Sequence, residues 1–227
     1  MSFSLDVNLL LYATDAASPL HERGRAFVET CMRDGELLCL GWPTLLSYLR
    51  IATHPSIFSR PLAPAEAAAN VEALNHALAN IPSDRLRLHM CWGNYEGPHH
   101  CDVPLADVID IVLRARPMAI VLEAANPRHA HEWRVFETVK LPEGKILIPG
   151  VIESKSNFIE HPELVAQRIN RYANLVGREN VIAGSDCGYG TWVGQAAVDP
   201  DVVWAKMAAM AEGARIASRE FWKQSNA

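Results

Sequence analysis

The sequence has no excess of positive charge. Its 21 Lys and Arg stand against 26 Asp and Glu, for a formal net charge of −5. That argues against a surface built to follow the phosphates of a nucleic acid, although a local metal centre could still act on one. No run approaches the roughly 20 apolar residues that span a bilayer. The apolar start of the chain is short and is broken by Asp6, with no basic residue before it, so no export signal is expected. There is also no low-complexity tract. The five cysteines are odd in number and far apart, at Cys31, Cys39, Cys91, Cys101 and Cys187. That pattern excludes a disulfide framework and predicts a reduced, cytoplasmic setting with thiols free for metal.

What the sequence does contain is a change of rhythm. The 227 residues are 49% apolar, enough to core one large domain or two small ones. In the first part, strands are predicted at 3–5 and 36–40, with helices at 7–13, 19–33, 43–53 and 64–80. The second part predicts strands at 86–91, 118–123, 145–151 and 181–185, followed in turn by helices at 104–115, 129–137, 162–176 and 200–222. Strands alternating with helices imply a parallel sheet whose strand C-termini share one edge, and such folds bind ligands there. The expected class is therefore α/β.

His89 and Cys91 stand two residues apart at the end of one predicted strand. Residues i and i+2 of a strand point to one face, so an imidazole and a thiol are presented together, and both residue types bind zinc. Glu123 and Cys187 close two of the other strands. Each residue also has an ordinary reading. Buried cysteines commonly pack as small hydrophobes, and Glu123 could pair with Arg128. His99, His100 and Cys101 are read as loop residues rather than a second metal site, and His129 and His131 as facing different sides. The tryptophans, Trp92 and Trp133 among them, are read as packing residues.

The motifs make these patterns more specific. They are His89-Met90-Cys91-Trp92-Gly93-Asn94-Tyr95-Glu96-Gly97-Pro98-His99, Leu122-Glu123-Ala124-Ala125-Asn126, Ile148-Pro149-Gly150-Val151-Ile152 and Gly184-Ser185-Asp186-Cys187-Gly188. Through them, residues 75–227 resemble the cobalamin-independent methionine synthase family, particularly its short relatives that include the epoxyalkane:coenzyme M transferases. The resemblance implies a TIM barrel that transfers a methyl or alkyl group from a donor to a thiol, with zinc as cofactor. It implies His89, Cys91 and Cys187 as zinc ligands and Glu123 as the fourth. Asp186 is a candidate for binding a substrate amino group. A full barrel of this kind runs to roughly 250 residues, so residues 75–227 are expected to supply only its C-terminal half, four β-α units. Methionine synthases proper carry a catalytic His in the region after Gly150, where this chain reads Val151-Ile152-Glu153-Ser154-Lys155-Ser156-Asn157. That difference favours the shorter relatives.

Residues 1–74 carry Leu5-Asp6-Val7-Asn8-Leu9-Leu10-Leu11-Tyr12-Ala13, Leu49-Arg50-Ile51-Ala52-Thr53-His54-Pro55 and Arg60-Pro61-Leu62. With these motifs they resemble the first half of VapC-type PIN-domain toxins, metal-dependent ribonucleases that pair with an antitoxin. The resemblance implies magnesium at Asp6, whose ordinary reading is a helix N-cap. Magnesium sites draw on more than one protein or substrate oxygen, and the later acidic residues of that family are absent here. The expected organisation is a partial PIN-like α/β segment joined to half a methionine-synthase-like barrel. Three functions follow as expectations. These are zinc-dependent thiol methyl or alkyl transfer, RNA cleavage at Asp6, and a truncated fusion product without turnover. Half a barrel leaves sheet edges open to pairing, so self-association, or pairing with a separate N-terminal half, is expected too.

Overall fold

The structure is a computed structural model that describes residues 2–4, 12–33, 37–39, 69, 71–72, 75–76, 78–93, 99–100, 102–192, 195–196 and 198–222. The chain divides into two compact units, Met1–Ala73 and Leu74–Ala227. In the first, β1 (Ser2–Ser4) and β2 (Leu37–Cys39) pair in parallel, and α1 (His21–Arg33) lies between them in the chain. Parallel pairing of strands joined through a helix is the βαβ arrangement. Asp6, and the helices predicted at 43–53 and over most of 64–80, lie outside the described residues.

The second unit is a parallel half-barrel. Its strands are β3 (Arg87–Met90), β4 (Ala119–Leu122), β5 (Ile146–Ile152) and β6 (Gly184–Ser185), hydrogen-bonded in that order. Three helices complete the alternation: α2 (Leu105–Leu113), α3 (Pro162–Val176) and α4 (Pro200–Trp222). An antiparallel pair, β7 (Gly190–Trp192) with β8 (Gln195–Ala196), precedes α4. Strands covered on both faces are expected to be continuous apolar runs. Accordingly Leu88, Ile120, Leu122, Leu147, Val151 and Ile152 are all 2% exposed or less. No helix among the described residues is long and apolar enough to cross a membrane.

Local chemistry sets the helix ends. At α3 the His161 side chain accepts the backbone N–H of Glu163, and Pro162 occupies the first turn, where its missing N–H costs nothing. Gly177 ends the helix at φ 92°, a conformation open to glycine. Helices α3 and α4 pack over β5 through Val151, Ile152, Val165, Ala166, Ile169 and Ala217. Lys206 is fully buried in α4 and donates to Glu160 Oε2 at 2.8 Å.

The helices meet closely at Gly213. A Cβ there would lie 2.4 Å from Val165 Cγ1 and 2.7 Å from the Pro162 carbonyl oxygen. Gly213→Ala gains up to about 1 kcal/mol of helix propensity but forces two helices apart, and overpacking of this kind costs about 1–3 kcal/mol. We expect a net loss of about 1–2 kcal/mol, read as a lower urea midpoint with an unchanged slope.

Two expected elements differ. The helix predicted at 129–137 is a 3₁₀ helix, Glu132–Glu137, in place of an α-helix. The preceding residues are held by a side-chain turn in which Asn126 Oδ1 accepts the N–H groups of Arg128 and His129, and this local bonding competes with regular helix. The last strand of the sheet covers Gly184–Ser185, with only a single bridge upstream, Val181 to Leu147. A register shift between Gly150 and Ile152 interrupts the ladder, at the point where Asp186 approaches Gly150.

Candidate metal centre

Parallel pairing brings the ends of β3, β4 and β6 to one edge. His89 stands on β3 with Cys91 just beyond it, Glu123 follows β4, and Cys187 lies two residues past β6. One ligand atom each from His89, Cys91 and Cys187 lies within 4.8 Å of the others. Cys187 Sγ is 3.5 Å from His89 Nε2 and 3.2 Å from Glu123 Oε1. Glu123 and Cys187 are buried, at 6% and 7% exposure. Glu123 takes no bond from the exposed Arg128. Besides the Cys187 thiol, its partners are the backbone N–H of Trp92 at 3.3 Å and the amide of Asn126 at 3.1 Å.

The four groups shift one another's proton affinity. A hydrogen bond from Cys187, aided by His89, pulls the Cys91 thiol down to about 4 against the opposing effect of burial. The same bond to Cys91, with burial, pushes the Cys187 thiol up. Burial, then the Cys91 charge, raises Glu123 to about 7. Burial alone would depress His89, but its bond to Cys91 and the nearby negative charges outweigh it and raise it. Two cysteine sulfurs and an imidazole nitrogen within 4.8 Å of one another form a soft donor set of the kind zinc takes.

Asp186, expected to face a substrate amino group, is 1% exposed. Its Oδ1 accepts the N–H groups of Ala124 and Ala125, both at 2.8 Å. Its Oδ2 accepts the backbone N–H of Asn126 at 2.7 Å and that residue's side-chain amide at 3.0 Å. The carboxylate thus ties the turn after Glu123 to the segment beyond β6 that carries Cys187. Gly150 makes room for it, since a Cβ there would fall 1.9 Å from Asp186 Oδ1.

A second polar cluster, not expected from sequence, lies beside the centre. His129, expected only to face a different side from His131, is 3% exposed. Its Nδ1 is 2.7 Å from Glu132 Oε2 and its Nε2 is 3.2 Å from Asp102 Oδ2, which also meets His99 Nδ1 at 2.8 Å. Burial would depress His129, but Glu132 and Asp102 outweigh it and raise its pKa. The imidazole stacks on Trp92, with centroids 3.9 Å apart and planes 14° from parallel. The His129-x-x-Glu132 spacing was the available signal, but the Trp92 contact joins segments 37 positions apart. His131 and His100 are exposed, and Cys101 is outside the described residues.

No protein-family model matches the chain. Residues of the N-terminal part are 43% identical over 72 positions to ribonuclease VapC48 of Mycobacterium tuberculosis, covering 32% of this chain and 50% of that protein. A methionine synthase of Thermococcus kodakarensis is 27% identical over 161 residues, covering 71% of this chain and 42% of the relative. A 2-hydroxypropyl-CoM lyase of Xanthobacter autotrophicus is 26% identical over 182 residues, covering 69% and 47%. The chain therefore spans half or less of the length of each of these relatives. In fold it is similar to a solved B12-independent methionine synthase from Shewanella, with a TM-score of 0.61 and 15% identity over 98% of this chain and 63% of that one. The C-terminal region thus matches methionine synthase and 2-hydroxypropyl-CoM lyase on a partial TIM-barrel fold, and the N-terminal part matches VapC ribonucleases over a shorter share of the chain.

Proposed function

We propose that the unit Leu74–Ala227 binds zinc through His89, Cys91 and Cys187, with Glu123 at the fourth position, and serves methyl or alkyl transfer to a thiol. The observation that carries this is the convergence of the three ligand atoms within 4.8 Å. Tetrahedral zinc with Zn–N and Zn–S near 2.1 and 2.3 Å separates its N and S ligands by about 3.6 Å, and Cys187 Sγ stands 3.5 Å from His89 Nε2. The donor set therefore fits the ion. Bound zinc would hold an incoming thiol as the thiolate, which free thiols largely are not at neutral pH, and so supply the nucleophile.

The chain's own residues do the rest. Cys91 and Cys187 provide soft anionic ligands and His89 a neutral one. Glu123 is held by the Trp92 N–H on one oxygen and the Asn126 amide on the other, and each oxygen keeps a lone pair with which it can close the fourth position. Leu122, Ala124 and Ala125 are buried around it and keep water from the back of the site.

A second reading concerns the first unit. Its 43% identity to ribonuclease VapC48 over 72 residues favours magnesium-dependent RNA cleavage at Asp6. One preparation tests both. Zinc-loaded protein is offered small thiols with methyl and epoxide donors, and separately RNA with magnesium. We expect thioether product, followed by mass spectrometry and lost in Cys187→Ala. Absence of thioether with every donor, together with RNA cleavage lost in Asp6→Ala, would transfer the assignment to the ribonuclease reading.

A further inference from the structure

We infer that His129 is a positioning residue for the metal centre, acting on Glu123 through the plane and backbone of Trp92. The inference rests on the zinc reading above and extends it to His129, which makes no hydrogen bond to a proposed ligand.

The path is short. Glu123 Oε1 is 3.2 Å from Cys187 Sγ and takes the Trp92 backbone N–H at 3.3 Å, so where Trp92 sits decides where this oxygen points. Trp92 follows Cys91 directly and is 6% exposed. Its indole N–H donates to the Val103 carbonyl at 2.6 Å, and its ring lies on His129. His129 cannot turn, because Glu132 and Asp102 hold its two ring nitrogens. Both carboxylates are fixed in turn. Glu132 Oε1 accepts the N–H of Leu105 at 2.7 Å, and Asp102 also holds His99. His99 has a φ of 33°, a left-handed conformation uncommon outside glycine, and strain of this kind persists where surroundings enforce it.

Stability alone is a poor account of this cluster. Asp102, His129 and Glu132 side chains are each 7% exposed or less, and a buried ionic group generally contributes no more than apolar packing of the same volume. A fully satisfied buried network does fix orientation. Here the oriented object is a flat ring whose backbone N–H anchors a proposed metal ligand. Groups standing behind ligands commonly change metal affinity 10- to 100-fold.

The test compares wild-type protein with His129→Gln, Glu132→Gln and Val165→Ala. His129→Gln removes the stacked ring. Glu132→Gln keeps ring and packing but weakens the hold on Nδ1, and it decides the matter if the first variant does not fold. Val165→Ala lowers stability in the helical layer, away from the centre. Each protein is loaded with zinc, and release to excess chelator is timed. Cobalt is then substituted and its visible absorption recorded. We expect His129→Gln to release metal about 10-fold faster or more with a shifted cobalt band, and Glu132→Gln to move in the same direction. Val165→Ala should release at the wild-type rate despite a lower unfolding midpoint. Wild-type release and cobalt spectra in both Gln variants would overturn the inference while leaving the zinc centre standing. A wild-type protein that takes up no metal would overturn the centre and this inference together.

Discussion

Replacing Cys91 and Cys187 together by serine is expected to take the protein from about one zinc per chain to essentially none. In the proposed centre both cysteines bind as thiolates and supply its soft anionic ligands, and a serine hydroxyl replaces neither that charge nor that softness. Structural zinc in zinc-finger peptides carries apparent binding free energies of about 10–16 kcal/mol, and removing two of the four proposed ligands leaves little of such affinity. The change also has a thermodynamic signature. Free zinc at 100 times its dissociation constant stabilises a folded binder by about 2.7 kcal/mol. Adding zinc to metal-stripped wild-type protein should therefore raise its unfolding midpoint, and the double variant should not respond. Elemental mass spectrometry and paired unfolding curves check both points. Equal zinc in the two proteins would place the ion elsewhere in the chain. Glu123→Gln should behave differently and keep its metal, because His89, Cys91 and Cys187 still meet within 4.8 Å.

The contrast between those residues and their supports shows what a sequence can carry. His89 and Cys91 declare themselves through a spacing of two on an apolar strand, and the β-α alternation sends the strand ends to one edge. The parallel half-barrel was legible for that reason, as was α3, bounded by Pro162 and Gly177. The 3₁₀ turn at Glu132–Glu137 was not, because Asn126 redirects the backbone through its own side chain. The stack of Trp92 on His129 was further out of reach. It depends on how the segments after β3 and β4 lie against each other, which no local period encodes. The same holds for Asp186, whose position beside Cys187 suggested a substrate contact. Its four donors come from residues about 60 positions earlier. In the first unit, Asp6 lies outside the described residues, so its motif stands on sequence alone.

Asp186→Ala is expected to produce the largest loss of stability of any single change near the centre. It removes the acceptor for three backbone N–H groups and one side-chain amide in a single step. Ala124 and Ala125 are 5% and 4% exposed, so water cannot readily replace the lost bonds at those two positions. An unsatisfied buried donor costs about 1–3 kcal/mol, which gives about 3–5 kcal/mol here once the half-buried Asn126 is allowed some solvent. Set against a typical domain stability of about 5–15 kcal/mol, that brings the unit Leu74–Ala227 near its limit. The effect should reach the metal as well, because the released turn begins at Glu123 and the lost staple is the residue before Cys187. Asp186→Asn separates the two roles of the carboxylate. Its one oxygen can keep the pair of N–H groups from Ala124 and Ala125, while its amide nitrogen then faces the donors of Asn126. It should unfold at a midpoint between wild type and Asp186→Ala and retain more zinc than the alanine variant. Urea titration with zinc analysis on all three proteins measures this. An alanine variant as stable as wild type would mean that the turn after Glu123 holds itself, and that Asp186 is available for the substrate contact its place in the motif first suggested.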